Sequence, residues 1–114
     1  MIEPEDMFGR RMVDNLRDRG CELLGIFDCP SLQSQHDRMQ KSLEEAKKED
    51  QSVHVEAITM EQLYREKLNP QEKVRIERIE MFDEFEEWTL LQAHYCLVFG
   101  KKFKSDFPID KVTI

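Results

Sequence analysis

The 114-residue chain carries 17 Lys and Arg against 24 Asp and Glu, a net charge of −7 at pH 7, which opposes binding to a nucleic-acid backbone. Hydrophobic residues make up 39% and charged residues 36%. The chain therefore holds one domain at most, or part of a larger one, while seven Phe, two Tyr and one Trp argue against wholesale disorder.

Residues 4–19, PEDMFGRRMVDNLRDR, place Phe8, Met12 and Leu16 on one stripe of an amphipathic helix. Pro4, Glu5 and Asp6 suit its first turn, and Gly20 after Arg17 and Arg19 is a stop signal. Cys21 to Phe27 is a short apolar run, read as a strand. A second helix starts near Pro30 and Ser31, with Leu32, His36, Met39 and Leu43 on one face, and frays into a charged loop over residues 44–52. Val53 to Ile58 is read as a short strand. Thr59 and Gln62 form a capping-box pattern opening a helix through Met60, Leu63, Tyr64 and Leu68. Asn69, Pro70 and Glu72 open another, with Val74, Ile76 and Ile79 as its buried side. That helix is expected to end near Met81, and a further one to start at Asp83 with Phe85, Trp88 and Leu91 facing the core. Tyr95 to Phe99 reads as a strand, Val112 to Ile114 as its return partner, and KKFKSDFPIDK as the long hairpin connection between them.

Few residues suggest chemistry on their own. Cys21, Cys29 and Cys96 are odd in number and form no CxxC pair, which fits free thiols in a reducing, cytoplasmic setting. Together with His36, His54 and His94 they show no zinc-site spacing, so no metal is expected. The clusters Arg10, Arg11, Arg17, Arg19 and Lys101, Lys102, Lys104 are read as a solvated helix face and a hairpin turn. No apolar run approaches the ~20 residues of a membrane span. The opening MIEPEDMF has neither the basic nor the apolar stretch of a secretory signal.

FDEFEEW at Phe82 to Trp88 and HYC at His94 to Cys96 resemble the end of the leucine carboxyl methyltransferases. RIE at Arg75 to Glu77, Leu63-Tyr64, Ser31-Leu32, Ser34-Gln35, Gly20-Cys21 and Leu24-Gly25 are similar to the same family, as are Pro4, Asp6, Phe8-Gly9, Met12 and Asn15-Leu16. The similarity runs in order along nearly the whole chain and weakens at Lys47 to Ser52, where relatives usually carry a Gly-Trp pair. It implies an α/β architecture: the C-terminal part of a class I S-adenosylmethionine-dependent methyltransferase fold, with helices and a terminal antiparallel hairpin. On that reading residues 1–114 are the C-terminal portion of a single methyltransferase domain whose cofactor-binding half is absent. The family methyl-esterifies the C-terminal leucine carboxylate of the protein phosphatase 2A catalytic subunit, which becomes the expected partner. A paralogous branch acts in wybutosine formation on transfer RNA. The absence of a long extension after GKKFKSDFPIDKVTI favours the phosphatase branch.

A carboxylate is already nucleophilic at neutral pH, so such an enzyme mainly aligns it behind the methyl group and excludes water. The cofactor needs a glycine-rich turn and an acid for its ribose. This chain has four glycines and no GxG, so no catalytic and no cofactor-binding residue is assigned to it, and alone it is expected to be inactive. A second class of reading is a free-standing, non-catalytic binding module for the phosphatase tail. The helix starting at Asp83 leads into the strand from Tyr95, so its N-terminus should face the ligand side of the sheet. Asp83, Glu84 and Glu87 are therefore the candidate residues of the substrate mouth. The simpler reading, which we prefer, makes Asp83 a helix cap and the glutamates partners of the helix dipole. His94 is likewise read as a satisfied structural histidine rather than a base.

Overall fold

Helix α1 (Met7–Asp18) starts where Asp6, in extended backbone, accepts the Gly9 N–H at 2.6 Å. The computed structural model describes residues 1–79, 83–108 and 112–114. Pro4 is not in the first turn of α1 as expected but lies before the cap, fully buried. The stop at Gly20 is as predicted: its φ of 76° lets its N–H reach the Arg17 carbonyl while the Cys21 N–H reaches Leu16, the paired bonds of a Schellman motif.

Residues Cys21 to Phe27 do not form the strand that the apolar run suggests. They turn instead, with the Gly25 carbonyl accepting from Asp28 and Cys29. Ile26 is buried, but Leu24 and Phe27 remain exposed. With no neighbouring strand to pair with, β propensity alone does not make a strand here.

Helix α2 (Leu32–Ala46) opens with a reciprocal capping box between Ser31 and Ser34, which satisfies two otherwise orphan N–H groups. Strand β1 (Gln51–Thr59) then pairs antiparallel with β2 (Cys96–Lys104) in nine-residue register, from Gln51 opposite Lys104 to Thr59 opposite Cys96. The antiparallel pair is present, but its composition corrects the sequence reading. The partner of the terminal strand is Gln51–Thr59, and β2 runs on through GKKFK, which the sequence pattern assigns to the connection. Val112 to Ile114 form no strand; the Lys101 ammonium instead donates to the Val112 carbonyl, and the Ile114 N–H donates to Glu56 Oε2 at 3.2 Å. Nine rungs of ladder offer more than a three-residue segment can.

Pleating puts Val53, Val55, Ala57, Val98 and Gly100 on one face of this ribbon, and α2 covers that face. Gly100 is where the two layers meet most closely. A Cβ there would lie 2.6 Å from Leu43 Cδ1 and 3.1 Å from Met39 Cγ. His36 adds a polar tie, its Nε2 3.2 Å from the Val55 carbonyl.

After β1, the Thr59–Gln62 capping box opens α3 (Met60–Gln62) as predicted, and the chain continues as a π-helical turn over Leu63–Lys67. Helix α4 (Pro70–Ile79) follows Asn69, whose side chain accepts from the Gln71 N–H. Its predicted buried side is not buried: Val74, Ile76 and Ile79 are 46%, 39% and 69% exposed. The predicted end near Met81 lies outside the described residues. Helix α5 (Phe85–Ala93) leads into β2; Trp88 and Leu91 are half-buried, whereas Phe85 is exposed.

The N-terminal segment is strapped across this last helix. The Ile2 N–H donates to the His94 carbonyl at 2.8 Å, and the Glu3 N–H to the Pro30 carbonyl at 2.6 Å. Glu3 adopts a left-handed φ of 56° to make the turn. His94, 3% exposed, sets Nε2 against both Asp6 carboxylate oxygens at 2.7–2.8 Å and Nδ1 against the Leu90 carbonyl at 2.8 Å. Phe8 lies tilted over the imidazole at 4.6 Å. The buried apolar side chains among the described residues are Ile2, Val13, Ile26, Val55 and Ile58.

The strap can be tested at two residues. A Cβ at Gly9 would overlap the Glu3 carbonyl oxygen and lie 2.8 Å from Pro4 Cα. Both are backbone atoms, so Gly9→Ala should lower unfolding stability by about 1–3 kcal/mol in urea titration, with the strap displaced. Asp6 is the second case. Partial burial pushes its carboxyl up, but the Gly9 N–H and His94 outweigh that and hold it below the ordinary carboxylate value. A folded-state pKa below the unfolded one contributes stability above pH ~4 that is lost as pH falls through the folded value. Asn caps a helix as well as Asp, so Asp6→Asn should keep the cap, lose the charge beside His94 and flatten the acid limb of a stability–pH curve. An unchanged acid limb would show that Asp6 is not coupled to folding.

Candidate functional site

The residues singled out at the substrate mouth do gather at one place, the N-terminal end of α5. Of the three, only Glu87 lies within the helix; Glu84 is its N-cap and Asp83 precedes it. All three are exposed. The preferred cap reading for Asp83 needs correction, because the N-cap is Glu84, at φ −102° and ψ 39°, and its side chain makes no capping hydrogen bond. The helix is secured there by the Trp88 N–H donating to the Glu84 carbonyl at 3.0 Å. Glu86 and Glu87 occupy the first turn, where negative charge is favoured by the helix dipole.

Behind the acids stands an aromatic group. Trp88 meets Tyr64 edge-on at 4.8 Å and stacks on Phe85 at 5.8 Å, geometries that add to area burial. Tyr64 belongs to the π-helical turn after α3, so a local irregularity in one helix aims a ring at another. Lys73, near the start of α4, places its ammonium 5.4 Å from the centre of the Tyr64 ring, within cation–π range. The Thr89 hydroxyl, next to Trp88, is buried with no hydrogen-bond partner. Four acids on a helix end repel an approaching carboxylate by Coulomb's law. The charge at this helix end therefore suits N–H groups and cationic side chains rather than a carboxylate.

Asp6 and His94, 88 positions apart in sequence, form a carboxylate–imidazole pair of the kind acid–base catalysis uses. Their surroundings assign them a different task. The imidazole is buried, and both nitrogens are engaged, one by Asp6 and the other by the Leu90 carbonyl. No ring nitrogen remains for a substrate, in keeping with the structural reading of His94. The pairing itself lay beyond the sequence, since nothing local links the two positions.

An open depression of about 750 Å³ lies beside the end of β2, lined by Lys101, Lys102, Phe103, Asp106, Phe107 and Val112 among others. The ammonium of Lys101 is already held by the Val112 carbonyl, which leaves it committed. Among the described residues no three His, Cys, Asp or Glu side chains converge on a metal position, and no helix is long and apolar enough to cross a membrane.

S-adenosylmethionine, implied by the family resemblance, does not fit the residues present. Its cradle requires a glycine turn between a strand and a helix. Gly9 lies inside α1 under the strap with its N–H on Asp6, Gly20 ends α1, Gly25 sits in an exposed turn, and Gly100 is pressed against α2. No step of methyl transfer is assigned to these residues.

No protein-family model matches the chain. Curated relatives do. A leucine carboxyl methyltransferase 1 homologue of Arabidopsis thaliana is 40% identical over 99 residues, covering 87% of this chain and 27% of the relative. Leucine carboxyl methyltransferase 1 of Bos taurus is 37% identical over 108 residues, covering 95% of this chain and 30% of the relative. That of Caenorhabditis elegans is 38% identical over 93 residues, covering 82% and 26%. The chain spans under a third of the length of these relatives. The sequence similarity, continuous across nearly all of it, places the chain in the leucine carboxyl methyltransferase family.

Proposed function

We propose that this chain is the C-terminal portion of an S-adenosylmethionine-dependent methyltransferase. The whole domain would methyl-esterify the C-terminal leucine carboxylate of the protein phosphatase 2A catalytic subunit. The observation that carries the reading is the asymmetry of coverage: 95% of this chain but 30% of the bovine relative. The part without a counterpart here is large enough to hold the missing glycine turn and ribose acid. Methyl transfer to a carboxylate needs alignment and exclusion of water more than proton transfer. A segment that braces the sheet and shapes its rim serves that need without touching the reacting atoms. At that rim Asp83, Glu84 and Glu87 would meet the substrate's N–H groups or cationic side chains rather than its carboxylate.

The test is a chimera in which this chain replaces the matched 108 residues of the bovine relative, assayed with labelled S-adenosylmethionine. We expect it to methylate a peptide ending in a free leucine carboxylate and to leave the amidated peptide untouched, while the 114-residue chain alone neither binds the cofactor calorimetrically nor transfers methyl. Cofactor binding by the isolated chain, or a folded chimera without activity, would overturn the reading. Replacing Asp83, Glu84 and Glu87 together by Asn and Gln in the chimera should raise KM for a tail peptide at least about threefold with little change in kcat, as loss of uniform binding does.

A further inference from the structure

The described residues leave more surface exposed than a self-contained domain of this size. A folded monomer of 13.7 kDa exposes about 6,600 Å², whereas this chain exposes 8671 Å². The radius of gyration is 17.5 Å, against about 13 Å for a compact chain of this length. The excess, roughly 2,000 Å², is on the scale of one partner's share of a large obligate interface.

Five of the eleven exposed large apolar side chains among the described residues lie on α4 and α5, and four of these are positions where the sequence pattern expects burial. On α4, Val74, Ile76 and Ile79 are exposed, and at about 100° per residue they spread over more than half of the helix circumference. On α5, Phe85 and Leu90 are 51% and 46% exposed. Among the described residues α4 packs extensively on no other element. Its main ties are the Lys73 ammonium, which donates to the Arg65 carbonyl and covers Tyr64. A helix apolar over so much of its surface is suited to lie between other elements.

We propose that the apolar surface of α4 and α5 is a docking face whose occupant is the rest of a leucine carboxyl methyltransferase domain, and that it binds that portion non-covalently when the two are separate chains. This rests on the reading above that the chain is part of a longer domain. The relatives' unmatched length, more than two thirds of each, supplies an occupant of sufficient size. The ~2,000 Å² of excess surface supplies an interface that can hold without a covalent link.

The experiment mixes the 114-residue chain with the bovine relative lacking its matched segment and follows association by sedimentation velocity. The expected result is a 1:1 complex. Ile79→Asp and Val74→Asp should each weaken it at least tenfold, and Lys41→Glu on the exposed side of α2 should not. A failure of the two to associate, or self-association of the chain alone that Ile79→Asp abolishes, would overturn the proposal, the second by making another copy the occupant. Should the truncated relative not fold, hydrogen exchange on the covalent chimera decides the same question. Amides of residues 74–79 should gain at least tenfold protection over the chain alone while those of 21–27 do not, and equal exchange would overturn the docking face. Complex formation without methyl transfer would contradict the functional reading and leave the docking face standing. Activity in the chimera without association in trans would do the reverse.

Discussion

The pairing of β1 with β2 is the constraint on which the other contacts depend. It brings together two segments separated by 36 intervening residues, from Met60 to Tyr95, and so holds the start of α3 close to the end of α5. A two-stranded ribbon is marginal in water, and this one is secured by what lies on it. Helix α2 seals one face across Gly100, and on the other the C-terminal residues reach Lys101 and Glu56. Glu56 is held below its ordinary value chiefly by the Ile114 N–H, with His54 and Lys101 assisting. The ribbon is thus a floor with a helix above it and a short strap of chain below.

The clamp at His94 fixes the second half of the structure to the first. The imidazole hangs from the end of α5 and grips the cap of α1, so two helices remote in sequence share one buried side chain. The backbone of the same residue accepts Ile2, and side chain and main chain pull on one segment. Burying a polar ring is costly unless it is hydrogen-bonded, and here each nitrogen has an oxygen. Away from this end the packing thins, and among the described residues Lys73 ties α4 to the Arg65 carbonyl and the Tyr64 ring.

Local signals are legible in the sequence and non-local ones are not. The caps at Ser31 and Thr59 and the stop at Gly20 depend on bonds spanning three to five residues, so their residue types declare them. Cys21 to Phe27 shows the opposite: its β-prone side chains suggest a strand, but a strand requires a partner that local sequence does not specify. The partner of β2 is misread for the same reason, since Val112 to Ile114 are near in sequence and Gln51 to Thr59 are not. At the candidate site the acidic start of α5 is visible in the sequence, because Asp83, Glu84, Glu86 and Glu87 are near neighbours in the chain. The one-residue shift of the cap to Glu84 is not, and neither are the edge-on meeting of Tyr64 with Trp88 and the clamp of Asp6 on His94. The pattern at Val74, Ile76 and Ile79 is different again. The sequence reads it as a buried side, and among the described residues all three side chains are exposed.

The strap also gives the six residues before α1 a structural weight out of proportion to their number. Cutting the backbone before Met7 would detach six residues, about a twentieth of the chain. Those six include the residue that caps α1, the backbone that closes over Gly9 and the carboxylate facing His94. What remained would keep the residues of every helix and strand described here, yet the His94 Nε2 would lose its carboxylate partner. Two polypeptides nearly identical in length and composition would then differ in whether the start of α1 is tied to the end of α5.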